Sequence, residues 1–214
     1  MADRQIVLPR LYAILDVTSF PEAQRTTSHI VGFARELVDG GVELLQYRNK
    51  SGDERTILSH ARELRRVLDR EVKLIMNDRA DLCVAADFDG VHVGQDDLSP
   101  EGARSVVGPN RILGVSNHNL EQLKQANAKL VDYIAFGPIF ATSAKQNPDP
   151  VVGLEGLRAA RSITNKPLVA IGGITRANVG AVTAAGADSV AVISDLLQHP
   201  RHAAEEFFRL LQQV

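Results

Sequence analysis

The sequence has few of the features that mark secreted, membrane-bound or disulfide-stabilised proteins. Its only cysteine, Cys83, cannot form an internal disulfide, and it lies in an apolar helical pattern typical of a buried, reduced thiol. No segment approaches the roughly 18 consecutive apolar residues that a membrane span needs. The N-terminal residues carry charges and lack the apolar centre of a signal peptide. We therefore expect a cytoplasmic protein that does not bind membranes.

An excess of charge of either sign is also missing. Lys and Arg number 24 against 26 Asp and Glu, which leaves a formal net charge of -2. This balance predicts no electrostatic docking on nucleic acid or on a membrane surface, so any basic site must be local. The expected partners are small molecules, and self-association into a homo-oligomer remains open.

The size and composition of the chain fit one large domain. Its 214 residues are 44% hydrophobic and 23% charged, as in ordinary globular proteins, and they contain no linker-like stretch. We therefore predict a single domain over residues 1–214, in which residues 1–10 are a short lead-in.

Short apolar runs alternate with amphipathic patterns along the whole chain. The runs predict strands at 11–16, 42–47, 73–76, 90–93, 111–115, 131–136, 167–171 and 189–193. Helices are predicted at 29–38, 53–69, 79–86, 100–106, 120–128, 153–161, 175–184 and 203–211, with Asp53, Ser99 and Thr175 as N-caps.

This rhythm predicts the α/β class and a (β/α)8 TIM barrel. The alternative is an open doubly wound sheet, which would favour a glycine-rich turn after the first strand. The sequence has Asp16-Val17-Thr18-Ser19 at that point. The barrel is therefore the preferred fold, and its active site is expected in the loops at the carboxyl ends of the strands.

Two acidic clusters follow neighbouring predicted strands. Asn77-Asp78 ends the third strand, and Gln95-Asp96-Asp97 follows the fourth. A strand, a helix and a parallel strand would bring both clusters to one edge of the sheet, where carboxylates can hold a divalent metal. The alternative is that these are ordinary turn and N-cap residues.

Other strand ends carry groups that suit phosphate or pyrophosphate. Gly172-Gly173 and Ser194 follow the seventh and eighth strands, where barrels bind phosphate on backbone amides, although a tight turn and an N-cap would look the same. Arg48 and Lys50 alternate along one segment and could bind a second anion, or they could be a solvated surface pair. Lys145, in the long 137–152 loop, fits either a lid or surface lysine. His118 is expected to form hydrogen bonds rather than to act in catalysis.

Two anion sites and a metal site at one mouth indicate a reaction that joins two phosphorylated partners or expels pyrophosphate. At this point the motifs become specific. The segments LQYRNK (45–50), ND (77–78), HVGQDD (92–97), GVS (114–116), GPIFATSAK (137–145), IGGI (171–174) and VIS (192–194) occur in the order found in one family. Through them, the sequence resembles thiamine phosphate synthases.

The resemblance implies a barrel enzyme that joins 4-amino-5-hydroxymethyl-2-methylpyrimidine diphosphate to 4-methyl-5-(2-hydroxyethyl)thiazole phosphate. The products would be thiamine phosphate and pyrophosphate, formed by a dissociative displacement assisted by Mg²⁺. The implied metal ligands are Asp78 and Asp97, and the implied catalytic residues are Arg48, Lys50, Ser116 and Lys145. The implied substrate-binding residues are Gln46, Arg48, Lys50, Asn77, Ser116, Thr142, Ser143, Lys145, Gly173, Ile193 and Ser194.

Two departures from the family pattern and two rival functions accompany this interpretation. Arg79 follows Asp78 where some relatives have another acid, which leaves the implied metal ligand Asp78 intact. Ala144 stands where relatives often have a second hydroxyl, so a pyrophosphate contact could be lost or provided by Ser143. A thiazole tautomerase, or a barrel that binds phosphate without catalysis, would keep Gly173 and Ser194. Neither rival requires Arg48, Lys50, Asp78, Asp97 and Lys145 together, and all five are present.

Overall fold

The structure is a closed barrel of eight parallel strands. The computed structural model describes residues 6–142 and 149–212. Consecutive strands pair in parallel, and the first pairs with the last through Leu11↔Val190 and its neighbours, which closes the sheet. The strands are β1 (Leu11–Asp16), β2 (Leu44–Arg48), β3 (Lys73–Asn77), β4 (Gly90–Val93), β5 (Ile112–Asn117), β6 (Tyr133–Phe136), β7 (Leu168–Ile171) and β8 (Ser189–Val192).

A helix follows each strand, so the TIM barrel prediction is confirmed. The helices are α1 (Thr27–Asp39), α2 (Glu54–Val67), α3 (Ala80–Ala85), α4 (Pro100–Val107), α5 (Leu120–Asn127), α6 (Gly153–Ile163), α7 (Val179–Ala184) and α8 (Pro200–Leu211). Short 3₁₀ turns at Val17–Ser19 and Glu22–Gln24 connect β1 to α1, and another at Ser194–Leu196 follows β8. None of the helices in the described part of the chain is long and apolar enough to span a membrane.

The apolar residues form two cores that meet at the sheet. The larger core lies between the strands and the surrounding helices, and it contains Cys83, which is buried as predicted. Burial raises the pKa of this thiol to about 12, so it stays protonated and unreactive. The smaller core fills the barrel interior, with Tyr12, Ile14, Leu44, Ile75, Tyr133, Ala135, Val169 and Ala191 among its members. The barrel interior is therefore packed with side chains.

Helix caps account for several element boundaries. The Asp53 carboxylate accepts a hydrogen bond from the Thr56 amide at 2.8 Å, and Ser99 Oγ accepts one from the Gly102 amide at 3.1 Å. Both were predicted as N-caps. Pro100 follows Ser99 at the first helical position, where its missing N–H is not needed.

The predicted cap at Thr175 is wrong. Helix α7 begins four residues later, at Val179, because Asn178 stabilises a turn ahead of it. The Asn178 side chain accepts from the Thr175 amide at 2.8 Å and donates to the Gly173 carbonyl at 2.9 Å. Residues 175–178 therefore form a turn that stabilises the segment after β7, and the helix begins only after them.

Several predicted boundaries shift by a few residues. Helix α1 starts at Thr27 because Thr26, rather than a later residue, caps it by accepting from the His29 amide at 3.3 Å. Helix α8 starts at Pro200, three residues before the predicted start. Strand β5 runs on to Asn117, which carries Ser116 within the strand instead of in the following loop.

A buried tyrosine–histidine pair between β2 and α2 predicts a pH dependence of folding stability. The Tyr47 hydroxyl lies 2.9 Å from His60 Nδ1, and burial raises the pKa of Tyr47 and lowers the pKa of His60. Tyr47 therefore donates to a neutral imidazole. The unfolded chain binds a proton at His60 at a higher pH than the folded chain does, so stability is full above about pH 6.5 and is lost as pH falls toward the lowered folded pKa.

Urea unfolding of the wild type and His60→Gln at a series of pH values between about 8 and 5 measures this effect. We expect the wild type to lose more stability over this range than His60→Gln does. His202→Gln, at an exposed position of α8, is the matched control and should keep the wild-type slope. Equal slopes for the wild type and His60→Gln would contradict the assignment.

Candidate active site

A cavity opens at the carboxyl ends of the strands, as the barrel fold requires. It encloses about 980 Å³, including the part open to solvent. Eight of the predicted site residues line it: Gln46, Arg48, Asn77, Ser116, Thr142, Gly173, Ile193 and Ser194. The structure thus brings together residues of β2, β3 and β5 and of the segments after β6, β7 and β8, which are far apart in the chain.

Arg48 is held at the edge of this cavity by a buried carboxylate. Its guanidinium pairs with Asp16 at the end of β1, where Asp16 is only 2% exposed. Asp16 also accepts from the Thr18 amide at 3.0 Å and from the Thr18 hydroxyl at 2.7 Å. These contacts fix the carboxylate, which in turn fixes the guanidinium, so Arg48 is oriented before any ligand binds.

A second charged group lies beside the cavity and contains the two acids predicted as metal ligands. Lys50 Nζ is 2.5 Å from the Asp78 carboxylate. Burial, the hydrogen bond to Asp78 and the nearby Asp78 charge raise the pKa of Asp97, against the lowering effects of the Gly94 amide and Lys50. Asp78 and Asp97 are therefore close enough to interact directly, as the two acidic clusters predicted.

The local backbone places both carboxylates. Asp78 adopts a left-handed conformation with φ of 62°, which is uncommon for a residue other than glycine and is often found at functional sites. Asp97 accepts a hydrogen bond from the Gly94 amide at 2.7 Å, whereas Asp96 is exposed. This difference supports Asp97 rather than Asp96 as the functional acid.

The carboxylate pair suits a magnesium ion better than it suits a metal that takes all of its ligands from the protein. In the described part of the chain, no group of three or more His, Cys, Asp or Glu residues could hold a metal. Mg²⁺ usually takes one or two carboxylates and completes its shell with water and substrate phosphates. Two interacting carboxylates, one with a raised pKa, gain from a cation between them, so Asp78 and Asp97 suit this role.

The inner wall of the cavity is a buried chain of hydrogen bonds across the barrel. Gln46 Nε2 donates to the Tyr12 hydroxyl at 2.8 Å, which lies 2.9 Å from the Tyr133 hydroxyl. The Tyr133 hydroxyl is 2.9 Å from His92 Nδ1, and His92 Nε2 is 2.8 Å from Ser116 Oγ. Gln46 and Ser116 lie at the two ends of this series of hydrogen bonds. They are the residues that the resemblance assigns to binding an aminopyrimidine.

The glycine pair and Ser194 form the opposite part of the mouth. Gly172 and Gly173 have φ values of 99° and 64°, so both adopt left-handed conformations. Hydrogen bonds connect the turn after β7 to the turn after β8. The Arg176 amide donates to the Asp195 carboxylate at 2.7 Å, and the Arg176 guanidinium forms an ion pair with the same carboxylate. Asp195 thus joins the two loops that would hold a phosphate.

The loop after β6 covers part of this end. Ile139 and Phe140 donate to the carbonyls of Ile171 and Gly172 at 2.9 and 3.0 Å, which carries Thr142 to the cavity. The predictions for Ser143, Ala144 and Lys145 lie outside the described residues. His118, which follows β5, donates from Nδ1–H to the Gly137 carbonyl at 2.8 Å and lies 3.4 Å from Asp149, so it links the end of β5 to this loop through hydrogen bonding, as expected.

The sequence interpretation missed four residues that build the site: Tyr12, Asp16, His92 and Tyr133. Asp16 had a readable signal, because an acid at the end of a buried strand lies at the same mouth as the other candidates. Tyr12 and Tyr133 lie within strands and carry no signal that separates them from core residues, whereas His92 begins the HVGQDD motif but was not assigned a role. Their role depends on which side chains point into the barrel.

Comparison with known proteins identifies the family. A sequence profile described as thiamine monophosphate synthase matches residues 11–196. The chain is 65% identical over 205 residues to the thiamine-phosphate synthase of Koribacter versatilis (strain Ellin345), covering 95% of this chain and 96% of that protein. It is 45% identical over 195 residues to the thiamine-phosphate synthase of Chloroflexus aurantiacus (strain ATCC 29366 / DSM 635 / J-10-fl), covering 91% and 88% of the two chains.

A solved structure agrees with the sequence relatives. The thiamine phosphate pyrophosphorylase of Pyrococcus furiosus superposes with a TM-score of 0.84 at 33% identity, covering 95% of this chain and 96% of the other. The barrel fold and the order of the motifs agree with the family that these relatives name. The chain belongs to the thiamine monophosphate synthase family of transferases.

Proposed function

We propose that this enzyme transfers the pyrimidinylmethyl group of 4-amino-5-hydroxymethyl-2-methylpyrimidine diphosphate to the ring nitrogen of 4-methyl-5-(2-hydroxyethyl)thiazole phosphate. The observation that carries the proposal is the charged group Lys50–Asp78–Asp97 beside a cavity lined by Arg48. Cations and a carboxylate pair at one place suit a diphosphate that binds with a metal. The glycine pair across the mouth suits the second, singly phosphorylated substrate.

The metal in this proposal is Mg²⁺, held by Asp78 and Asp97. When bound between these carboxylates, the metal would supply positive charge to the departing pyrophosphate. Arg48, Lys50 and Asn77 bind the same diphosphate directly, and Asp16 keeps the Arg48 guanidinium in place. Lys145 and Ser143 are proposed to add further contacts. Because Asp16 positions the Arg48 guanidinium in advance, Arg48 stabilises the leaving group without reorganisation.

The remaining site residues hold the pyrimidine methylene carbon and the thiazole nitrogen in line for bond formation. Gln46 and Ser116 bind the aminopyrimidine edge, Thr142 faces the ligands, and Gly173, Ile193 and Ser194 bind the thiazole phosphate. The bond between the pyrimidine methylene carbon and the diphosphate oxygen breaks, and pyrophosphate leaves with the bonding electrons. The thiazole nitrogen then forms the new C–N bond with its own lone pair. No general base is needed, so positioning and electrostatics supply the rate enhancement.

The two rival functions account for fewer of these contacts. A thiazole tautomerase or a phosphate-binding barrel would use the Gly173 and Ser194 end alone. Neither would need Arg48, held by Asp16, together with a Lys50–Asp78–Asp97 group at the other side of the mouth. The synthase uses both ends, and this favours it.

An assay with both substrates tests the proposal. The purified protein is incubated with the pyrimidine diphosphate and the thiazole phosphate, with Mg²⁺ or with excess chelator, and thiamine phosphate and pyrophosphate are measured. We expect equal amounts of the two products with Mg²⁺ and at least about a 100-fold slower reaction with chelator, because loss of the metal removes several kcal/mol of stabilisation. No thiamine phosphate in the presence of metal would exclude the synthase.

A further inference from the structure

We propose that Tyr12, Tyr133 and His92 act as positioning residues that present Ser116 to the substrate as a hydrogen-bond donor and Gln46 as an acceptor. The inference rests on the proposed function for the identity of the substrate, an aminopyrimidine. It concerns the buried residues of the inner cavity wall, which form a continuous hydrogen-bonded series from Gln46 on β2 to Ser116 on β5.

The series is continuous from Gln46 to Ser116. Its four hydrogen bonds, Gln46–Tyr12, Tyr12–Tyr133, Tyr133–His92 and His92–Ser116, measure between 2.8 and 2.9 Å. Tyr12 and Tyr133 are 1% and 0% exposed. Buried hydroxyls that lacked partners would cost free energy, so the interior is more stable when every proton in the series has an acceptor.

Counting protons gives the series one direction. Gln46 Nε2 is a donor, so the Tyr12 oxygen accepts from it and the Tyr12 proton goes to Tyr133. The Tyr133 proton then goes to His92 Nδ1, which must be unprotonated. His92 therefore carries its proton on Nε2 and donates it to Ser116 Oγ. The Ser116 proton is left to point toward the cavity.

The opposite direction leaves a buried proton without an acceptor. If Tyr133 donated to Tyr12, the Tyr12 oxygen would accept from both Tyr133 and Gln46. The Tyr12 proton would then have no acceptor among the hydrogen bonds that the structure describes at this position. Burial raises the pKa of both tyrosines, so neither loses its proton at neutral pH and the count holds.

Packing keeps the three rings in this arrangement. Tyr133 stacks on His92 with ring centroids 5.5 Å apart and meets Tyr12 edge to face at 5.9 Å. The Tyr133 ring also lies directly over Gly114 on β5, where the Cβ of any other residue would overlap the ring. The glycine of the GVS motif therefore makes room for Tyr133, two residues before Ser116.

The direction of the series matches the chemistry of a 4-aminopyrimidine. Such a ring offers N–H donors at its amino group and acceptors at its ring nitrogens. With Nε2 turned to Tyr12, Gln46 presents its Oε1 acceptor to the cavity, and Ser116 presents its hydroxyl proton. The site then accepts from the amino group and donates to a ring nitrogen, whereas a 4-oxo ring would place an acceptor against an acceptor.

Tyr133→Phe tests the positioning role, because it keeps the ring and removes only the hydroxyl that joins Tyr12 to His92. We expect the KM for the pyrimidine diphosphate to rise about tenfold, as for one lost and unsatisfied buried hydrogen bond. The KM for the thiazole phosphate should not change. Tyr47→Phe is the matched control: it also removes a tyrosine hydroxyl bonded to a histidine, but outside the barrel interior, and it should leave both KM values unchanged.

Nitrogen-15 NMR of the ligand-free protein tests the direction itself. His92 is assigned by the loss of its ring signals in His92→Gln, and the expected tautomer has the proton on Nε2. Tyr133→Phe should make the two tautomers more equal. A proton on Nδ1 in the wild type would overturn the inference. So would a Tyr133→Phe enzyme with an unchanged pyrimidine KM, or one with both KM values raised equally.

These readouts separate the inference from the proposed function. If the wild type forms no thiamine phosphate, the proposed function fails, and the tautomer measured without substrate still decides the direction of the series. If the wild type is active and His92 is protonated on Nδ1, only the inference fails.

Discussion

Asp97→Asn is expected to lower kcat/KM by about 100-fold or more, because it removes one of the two charges proposed to hold Mg²⁺. The fold should persist. Asparagine keeps a side-chain oxygen that can accept from the Gly94 amide, and the change removes a partly buried carboxylate that interacts with Asp78. Steady-state kinetics over a range of Mg²⁺ concentrations, together with urea unfolding, separates lost metal binding from lost structure.

Asp96→Asn is the matched control for this prediction. It makes the same chemical change at the adjacent position, whose side chain is exposed. We expect wild-type kinetics and an unchanged dependence on Mg²⁺. If Asp97→Asn kept full activity, or if Asp96→Asn lost as much as Asp97→Asn, the metal would have been placed on the wrong carboxylate.

Gly173→Ala is expected to raise the KM for the thiazole phosphate at least about tenfold and to destabilise the protein by about 1–3 kcal/mol. Gly173 has a φ of 64°, which L side chains rarely adopt. An added Cβ would lie 2.6 Å from the Ala141 carbonyl oxygen and 2.8 Å from Phe140 Cβ. The turn after β7 and the loop after β6 would have to separate, and both line the phosphate end of the cavity.

Gly180→Ala provides the comparison, since its added Cβ has nothing within 4 Å and its φ is not left-handed. Gly180 lies in α7, so alanine should stabilise the protein by about 0.5–1 kcal/mol and leave both KM values unchanged. A Gly173→Ala enzyme with an unchanged KM for the thiazole phosphate would contradict the position of the phosphate site. The pyrimidine KM, measured in parallel, shows whether the damage is local.

The features that the sequence could predict are those set by short-range chemistry. The alternation of apolar runs and amphipathic helices led to the barrel, and the barrel in turn placed Asp78 and Asp97 at one mouth. Asp53 and Ser99 were readable as caps because a cap acts within three residues. The same local rule failed at Thr175, where Asn178 forms competing hydrogen bonds with the turn. A single sequence gives no means of choosing between two such partners.

The features that could not be predicted depend on which residues of different strands lie side by side in the sheet or meet across the barrel. Asp16 and Arg48 are 32 residues apart, and Tyr12 and Tyr133 are 121 apart. Nothing in either local sequence distinguishes a tyrosine that bonds across the interior from one that packs under a helix, as Tyr47 does. The resemblance supplied Gln46 and Ser116, and only the fold shows that buried side chains connect them.

A crystal structure of the protein with Mn²⁺ and pyrophosphate tests the central claim most directly, since anomalous scattering locates the metal without reference to activity. The account predicts one metal bound by the carboxylates of Asp78 and Asp97, with metal–oxygen distances of about 2.0–2.3 Å. It also predicts pyrophosphate that contacts both this metal and the Arg48 and Lys50 side chains. Metal bound away from these two carboxylates, or pyrophosphate seated only at Gly173 and Ser194, would contradict it.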